Sequence, residues 1–99
     1  MLNASTLRVE TMTIDVAGTA EQPTTFPVPD GIEVVILAHR DNVGIIKVGN
    51  SAANAQAAAG VGNIPLAQNQ SVSFQLTNPN LLFVDATVAG ERAIVFFET

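Results

Sequence analysis

Turn-forming residues interrupt this chain at short, recurring intervals: Gly18, Pro29-Asp30-Gly31, Asp41-Asn42, Gly49-Asn50, Asn78-Pro79-Asn80 and Ala89-Gly90-Glu91. Glycine supplies positive φ at no steric cost, and proline removes a backbone donor, so each cluster marks a place where a strand stops. The runs between them are rich in Val, Ile, Thr and Phe, which fit a pleated, half-buried surface. Short apolar runs with this punctuation are the pattern of an all-β sandwich or barrel. The chain has 99 residues, which allows one core and no second domain. The expectation is a single domain over residues 1–99, a small β-sandwich or jelly roll of about seven strands.

The strands can be placed one by one. From Thr6 to Val16, Leu7 and Val9 alternate with polar residues, and then Met12, Ile14 and Val16 do so one position out of phase. A one-residue slip turns side chains to the opposite face, so a β-bulge or two short strands are expected near Glu10-Thr11. Pro23, Pro27 and Pro29 confine Thr24 to Val28 to an edge strand. Gly31 to His39 is nearly continuous in β-branched residues and reads as a central strand buried on both faces. Gly44 to Val48 follows as a strand. Ser71 to Thr77 alternates cleanly, with Val72, Phe74 and Leu76 on one side. In Leu81 to Val88, the residues Leu82, Val84, Ala86 and Val88 share a face. Ala89-Gly90-Glu91 then closes a tight hairpin into Arg92 to Glu98.

Residues 50–63 break this rhythm. The alanine-rich stretch around 51–60 is either a short helix or an ordered loop, because alanine favours helix but so short a helix is marginal alone. Asn50 or Ser51 would be its N-cap and Gly60 the residue just past its end.

Composition excludes several functions. Four cations face nine acids, for a formal net charge of −5. Arg8, Arg40, Lys47 and Arg92 are scattered, so nucleic acid, which binds through clustered Lys and Arg, is not an expected partner. The same sign argues against an anionic membrane surface. No apolar run approaches the roughly 18 residues of a bilayer span. Met1 to Thr6 lacks the basic and apolar segments of a signal peptide. With no cysteine, disulfides, zinc–thiolate sites, iron–sulfur ligation and thiol catalysis are all absent.

Reactive groups are sparse. His39 is the single histidine and sits beside Asp41, so a general base is conceivable; a strand-end histidine facing solvent or bonded to a turn is the plainer reading. None of the four serines lies in a Gly-x-Ser-x-Gly elbow. The nine carboxylates are spread along the chain, and no spacing singles out a hydrolytic pair or a calcium loop. Asp30-Gly31 and Asp41-Asn42 are explained by turn chemistry. Gly60-Val61-Gly62 lacks the strand–turn–helix context of a phosphate site. Sugar-binding sites favour Trp and Tyr, and the chain has neither; its five aromatics (Phe26, Phe74, Phe83, Phe96, Phe97) mostly fall at core-like positions. No catalytic, metal or cofactor residue is therefore assigned, and the chain is expected not to be an enzyme.

What stands out instead is surplus apolar surface. Mean hydropathy is +0.34. Val34 to Ala38, Leu81 to Val84 and Ile94 to Phe97 look apolar on both faces. Apolar residues left on outer faces mark protein–protein contact, unless residues 50–63 cover that face. An oligomer of closed rotational symmetry is the expectation.

One arrangement of segments is distinctive. Pro29-Asp30-Gly31 opens an apolar strand, followed by Asp41-Asn42-Val43-Gly44-Ile45-Ile46-Lys47-Val48-Gly49-Asn50-Ser51. Later come Ile64-Pro65-Leu66-Ala67-Gln68-Asn69-Gln70-Ser71-Val72, Leu81-Leu82-Phe83-Val84-Asp85-Ala86 and Ala89-Gly90-Glu91. Over roughly residues 29–97 this resembles small β-sandwich structural proteins of tailed bacteriophage particles. The resemblance implies a non-catalytic virion component, assembled in the host cytoplasm. A capsid decoration (cement) protein is favoured, bridging subunits of the major capsid protein and self-associating, with a trimer the expected form. The alternatives are a head–tail joining or tail structural protein, or a glycan-binding module for host attachment. The matching positions are turn formers and core residues, so no functional residue carries over. Residues 1–6, uncharged and without a local turn partner, are expected to form a strand-exchange N-terminal arm lying on an adjacent capsid subunit.

Overall fold

The computed structural model describes residues 7–98; the expected arm at 1–6 lies outside them. Seven strands form two antiparallel sheets. In chain order they are β1 (Leu7–Ile14), β2 (Glu33–Ala38), β3 (Ile46–Gly49), β4 (Ile64–Leu66), β5 (Ser71–Gln75), β6 (Phe83–Ala86) and β7 (Glu91–Glu98). A five-residue helix, α1 (Ala52–Gln56), precedes β4, and a 3-10 turn at Pro79–Leu81 precedes β6. The four-stranded sheet has the order β1-β7-β2-β5, and the three-stranded sheet the order β4-β3-β6. The chain is thus the expected small β-sandwich.

The core follows from strand alternation. Val34, Ile36 and Ala38 of β2, Ala93, Val95 and Phe97 of β7 and Ile14 of β1 point inward from the larger sheet. Ile46, Val48, Leu66, Val84 and Ala86 meet them from the smaller one. Phe26 and Val28 plug the seam from a segment that is not a strand, and the Phe26 ring lies 5.6 Å from that of Phe97. The edge strand expected at Thr24 to Val28 is therefore absent. Three prolines leave too few donors for a ladder, and the segment is held by side chains and isolated bonds, such as the Phe26 N–H to Asn78 Oδ1.

Three other expectations are corrected. β1 carries no bulge: its eight residues pair with β7 in unbroken register, from Leu7 opposite Glu98 to Ile14 opposite Glu91. The change of phase is real exposure, because Leu7 and Val9 lie on the outer face while Arg8 points inward over the Phe26 ring, 4.6 Å from its centre. Ala89-Gly90-Glu91 does not close a hairpin, since β6 and β7 belong to different sheets. The turn crosses between layers, with the Gly90 N–H donating to Ile14 O, and Val88 is left 40% exposed rather than inward. Finally, β2 is buried on one face only. Its outward residues Val35 and Leu37 are half-buried.

The alanine-rich stretch is a helix of little more than one turn. The Ser51 hydroxyl caps it by accepting from the Asn54 N–H. The helix ends at Ala57, so Gly60 is not its terminator; Gly60 sits in the following turn at φ +84°.

Candidate functional site

The outer faces of the two sheets are treated differently. On the smaller sheet, Lys47 of β3 stands directly opposite Asp85 of β6, both pointing away from the core. α1 lies over this face. An ideal Cβ added to Gly49 would come within 2.9 Å of the Ala55 backbone nitrogen, so only glycine lets the helix seat so close to β3. Beneath the helix, Lys47 and Asp85 are buried, their side chains 8% and 0% exposed. Lys47 Nζ donates to the Ala57 carbonyl at 2.9 Å and to that of Gln56 at 3.4 Å. These carbonyls stand at the helix C-terminus, where a cation is favoured. Asp85 Oδ1 accepts from the Gly18 N–H, which ties down the loop after β1. Asp85 Oδ2 lies 3.4 Å from Lys47 Nζ and has no hydrogen-bond partner among the described residues. The pair therefore clamps a helix and a loop onto one sheet, with the lysine donors directed at carbonyl oxygens.

No helix of the described residues covers the larger sheet in this way; α1 packs on β3 and β6. Strand register places Val9, Phe96 and Val35 side by side in one row, and Ile94 beside Leu37 in the next. Val9 is 48% exposed, and the other four are half-buried. Thr11, Thr13, Arg92, Ser71 and Ser73 border this apolar stripe on the same face.

A second apolar surface opens where the two sheets end together. β5 is the outer strand of one sheet and β4 of the other. Between them is a cleft of about 620 Å³ lined by Val48, Gly49, Ile64, Phe74, Leu76, Leu81 and Leu82, with the amides of Asn50, Asn54 and Asn63 at one end. No charged side chain lines it. Leu81 and Ile64 are 54% and 40% exposed. Asn63 organises the polar end: its amide donates to the carbonyls of Asn54, Ala57, Ala58 and Val61, and its oxygen accepts from the Gly60 N–H. Asn54 in turn donates to Asn50 Oδ1 at 2.7 Å.

The candidate reactive groups are scattered rather than assembled. His39 Nδ1 accepts from the Asp41 N–H at 3.1 Å, a turn contact that occupies the nitrogen an adjacent carboxylate would otherwise orient. Asp41 Oδ2 lies 3.2 Å from the Arg92 guanidinium and 3.7 Å from that same His39 nitrogen. Ser51 caps α1. Ser71 and Ser73 lie on the outer face of β5. Among the described residues no cluster of three or more His, Cys, Asp or Glu could hold a metal ion. Asp30-Gly31 forms the expected turn, with the Ile32 N–H donating to Pro29 O. None of the five phenylalanines is exposed as a sugar platform: Phe26 and Phe97 are buried, and Phe74, Phe83 and Phe96 are half-buried.

Two buried carboxylates escaped the sequence reading. Asp85 is one. The other is Glu91, which accepts from the N–H groups of Val43 and Gly44 and fixes the loop before β3. The available signal was an acid flanked by apolar residues, as in Val84-Asp85-Ala86, matched by a lysine in the same setting, Ile46-Lys47-Val48.

No protein-family model matches this sequence, and comparison with curated proteins and with solved structures gives no match either.

Proposed function

We propose that this chain is a non-enzymatic structural component of a tailed bacteriophage particle, a capsid decoration protein that stabilises the head by bridging capsid subunits. The observation that carries the reading is the apolar stripe of Val9, Phe96, Val35, Ile94 and Leu37, which no helix of the described residues covers, on a sandwich whose other outer face carries α1. Contiguous apolar surface rimmed by polar residues is the mark of a protein-binding face. The sequence likeness over residues 29–97 supplies the kind of partner. Burying such a face contributes about 25 cal/mol per Å², lessened by the cost of ordering the partners. Spread over several subunits of a shell, it raises the free energy needed to separate them.

The test uses empty heads of the phage that encodes the chain. Saturable binding and a higher rupture temperature are expected. Phe96→Asp, which puts a charge in the middle of the stripe without touching the core, is expected to weaken binding at least tenfold and leave thermal unfolding of the free protein nearly unchanged. Heads whose rupture temperature does not move at saturating protein overturn the proposal.

A further inference from the structure

The buried pair beneath α1 holds more than a balance of charge. Lys47 and Asp85 are cross-strand partners on β3 and β6, and Nζ stands 3.4 Å from Oδ2 where the two side chains are 8% and 0% exposed. Two of the three ammonium protons go to the carbonyls of Gln56 and Ala57. Asp85 Oδ1 accepts from the Gly18 N–H at 3.0 Å. Asp85 Oδ2 accepts from nothing, and it is the one buried side-chain oxygen or nitrogen among the described residues of which that is true. An orphaned buried oxygen calls for an explanation. Its neighbour is a primary amine with a proton to spare, and the carbon that bears it is one C–O bond further on, at most about 4.6 Å from Nζ. A near-attack distance is about 3–3.5 Å, which the four-carbon lysine stem reaches by a small turn.

We propose that Lys47 and Asp85 condense into an intramolecular isopeptide bond that fastens β3 to β6. The ion pair is the state of the newly folded chain, and the amide is what it becomes on standing. One proton passes from Nζ to Oδ2, leaving a neutral amine and a carboxylic acid. The amine lone pair then attacks Cγ, the C–O π bond opens, and negative charge gathers on Oδ1, the atom that already receives the Gly18 N–H. A backbone donor at hydrogen-bond distance from a developing oxyanion lowers the barrier to such a step. The nitrogen gives a second proton to Oδ2, the Cγ–Oδ2 bond breaks, and Oδ2 leaves as water. An ammonium and a carboxylate thus become an amide and one water, with no oxidant, reductant or outside base. The nitrogen keeps one proton for the Ala57 carbonyl. In water the hydration of the two ions opposes this condensation; here that hydration is surrendered on folding, and α1 shuts solvent away from the product. In a chain with no cysteine, the amide is a cross-link that no reductant opens. The reaction is independent of the decoration role, since no partner takes part in it.

The test is the mass of the intact, unsubstituted protein, purified and then kept folded for a week in neutral buffer. A loss of about 18 Da, one water, is expected. Trypsin cuts after lysine and arginine, so a linked chain resists cutting after Lys47, and residues 41–92 stay in one piece. Fragmentation of that piece in the mass spectrometer releases no ions from breaks between residues 47 and 85. Asp85→Asn is expected to give the same amide by losing ammonia, about 17 Da. Lys47→Arg keeps the positive charge but has no amine to form the link, and it is expected to hold its full mass. An unsubstituted chain at full sequence mass, cut completely after Lys47, overturns the proposal. So does a loss of one water with Lys47 still cut, which marks an aspartate closed onto its own backbone, and so does the same loss in Lys47→Arg.

Discussion

Asn42 shows how side chains here substitute for missing backbone. Its amide donates to Arg92 O at 2.8 Å and its oxygen accepts from Arg92 N at 3.1 Å, the two bonds a neighbouring strand residue would make. A buried backbone group left unpaired costs about 1–3 kcal/mol, so the asparagine continues the β2 side of β7 past its last pair, Ala38 with Ala93, where the His39 N–H also donates to Arg92 O. Gly44, next along, is required for space: a Cβ there would overlap the Thr87 hydroxyl and come 2.9 Å from Glu91 Oε1. The most consequential residues at this scale are Lys47 and Asp85. Taking one partner from a buried ion pair leaves an uncompensated charge and costs about 3–5 kcal/mol, while replacing both by apolar groups is often neutral. Lys47→Met is therefore expected to lower the unfolding free energy by about 3 kcal/mol, read from urea denaturation. Lys47→Met combined with Asp85→Leu is expected to recover much of that loss, since Gly18 then forfeits only one acceptor. Equal destabilisation by the single and double variants would show that the pair acts through its hydrogen bonds to α1 and the 15–20 loop and not through its charge balance.

Among the elements, α1 is the one whose stability is least its own. Five residues cannot hold a helix in water without outside support. The support comes from the Ser51 cap, the Lys47 ammonium beneath its last turn, and Asn63, whose amide ties four carbonyls of the helix and the loop after it. Asn63→Ala should detach the 57–63 loop and let the helix open. The expected reading is faster amide exchange at Ala55 and Ala57, whose N–H groups bond Ser51 O and Ala53 O, with a loss of about 1–2 kcal/mol overall. Unchanged exchange at both amides would show that the Ser51 cap and the lysine hold the helix without Asn63. The same scale shows what could be read from sequence. The Ser71–Gln75 alternation and the turn at Pro29-Asp30-Gly31 were legible, because each is dictated by neighbours in the chain; the alanine-rich stretch stayed open between helix and loop, because the Lys47 and Asn63 contacts that hold the helix come from elsewhere in the fold. The layer crossing at Ala89-Gly90-Glu91 was not, since a tight glycine turn has the same local chemistry whether the next strand pairs with the last or with another sheet. The out-of-phase Leu7 and Val9 mimicked a bulge because sequence alternation records which side is apolar, not which side is buried. The cleft was invisible for a related reason: it lies where two sheets end side by side, at β4 and β5, which belong to different sheets.

At the scale of the whole molecule, charge and apolar area lead to separate expectations. Each of the four cations sits within 4 Å of a carboxylate: Arg8 beside Glu10, Arg40 and Arg92 beside Asp41, Lys47 beside Asp85. With the net charge of −5, the long-range field is that of an acidic body, and its stripe and cleft offer no charge to a partner. Ion pairs across an interface weaken as salt shortens the Debye length, from about 10 Å at 0.1 M to about 3 Å at 1 M. Burial of apolar surface does not weaken in this way, and it leaves a negative heat-capacity change on association. Binding to phage heads is therefore expected to keep its affinity within about threefold between roughly 0.1 M and 1 M salt, and to become more exothermic as temperature rises. Isothermal titration at two salt concentrations and three temperatures reads both. A tenfold loss of affinity in high salt, or a heat of binding independent of temperature, would place the contact on the carboxylates at the loop ends instead. The apolar stripe would then be a consequence of packing in the free molecule with no share in assembly.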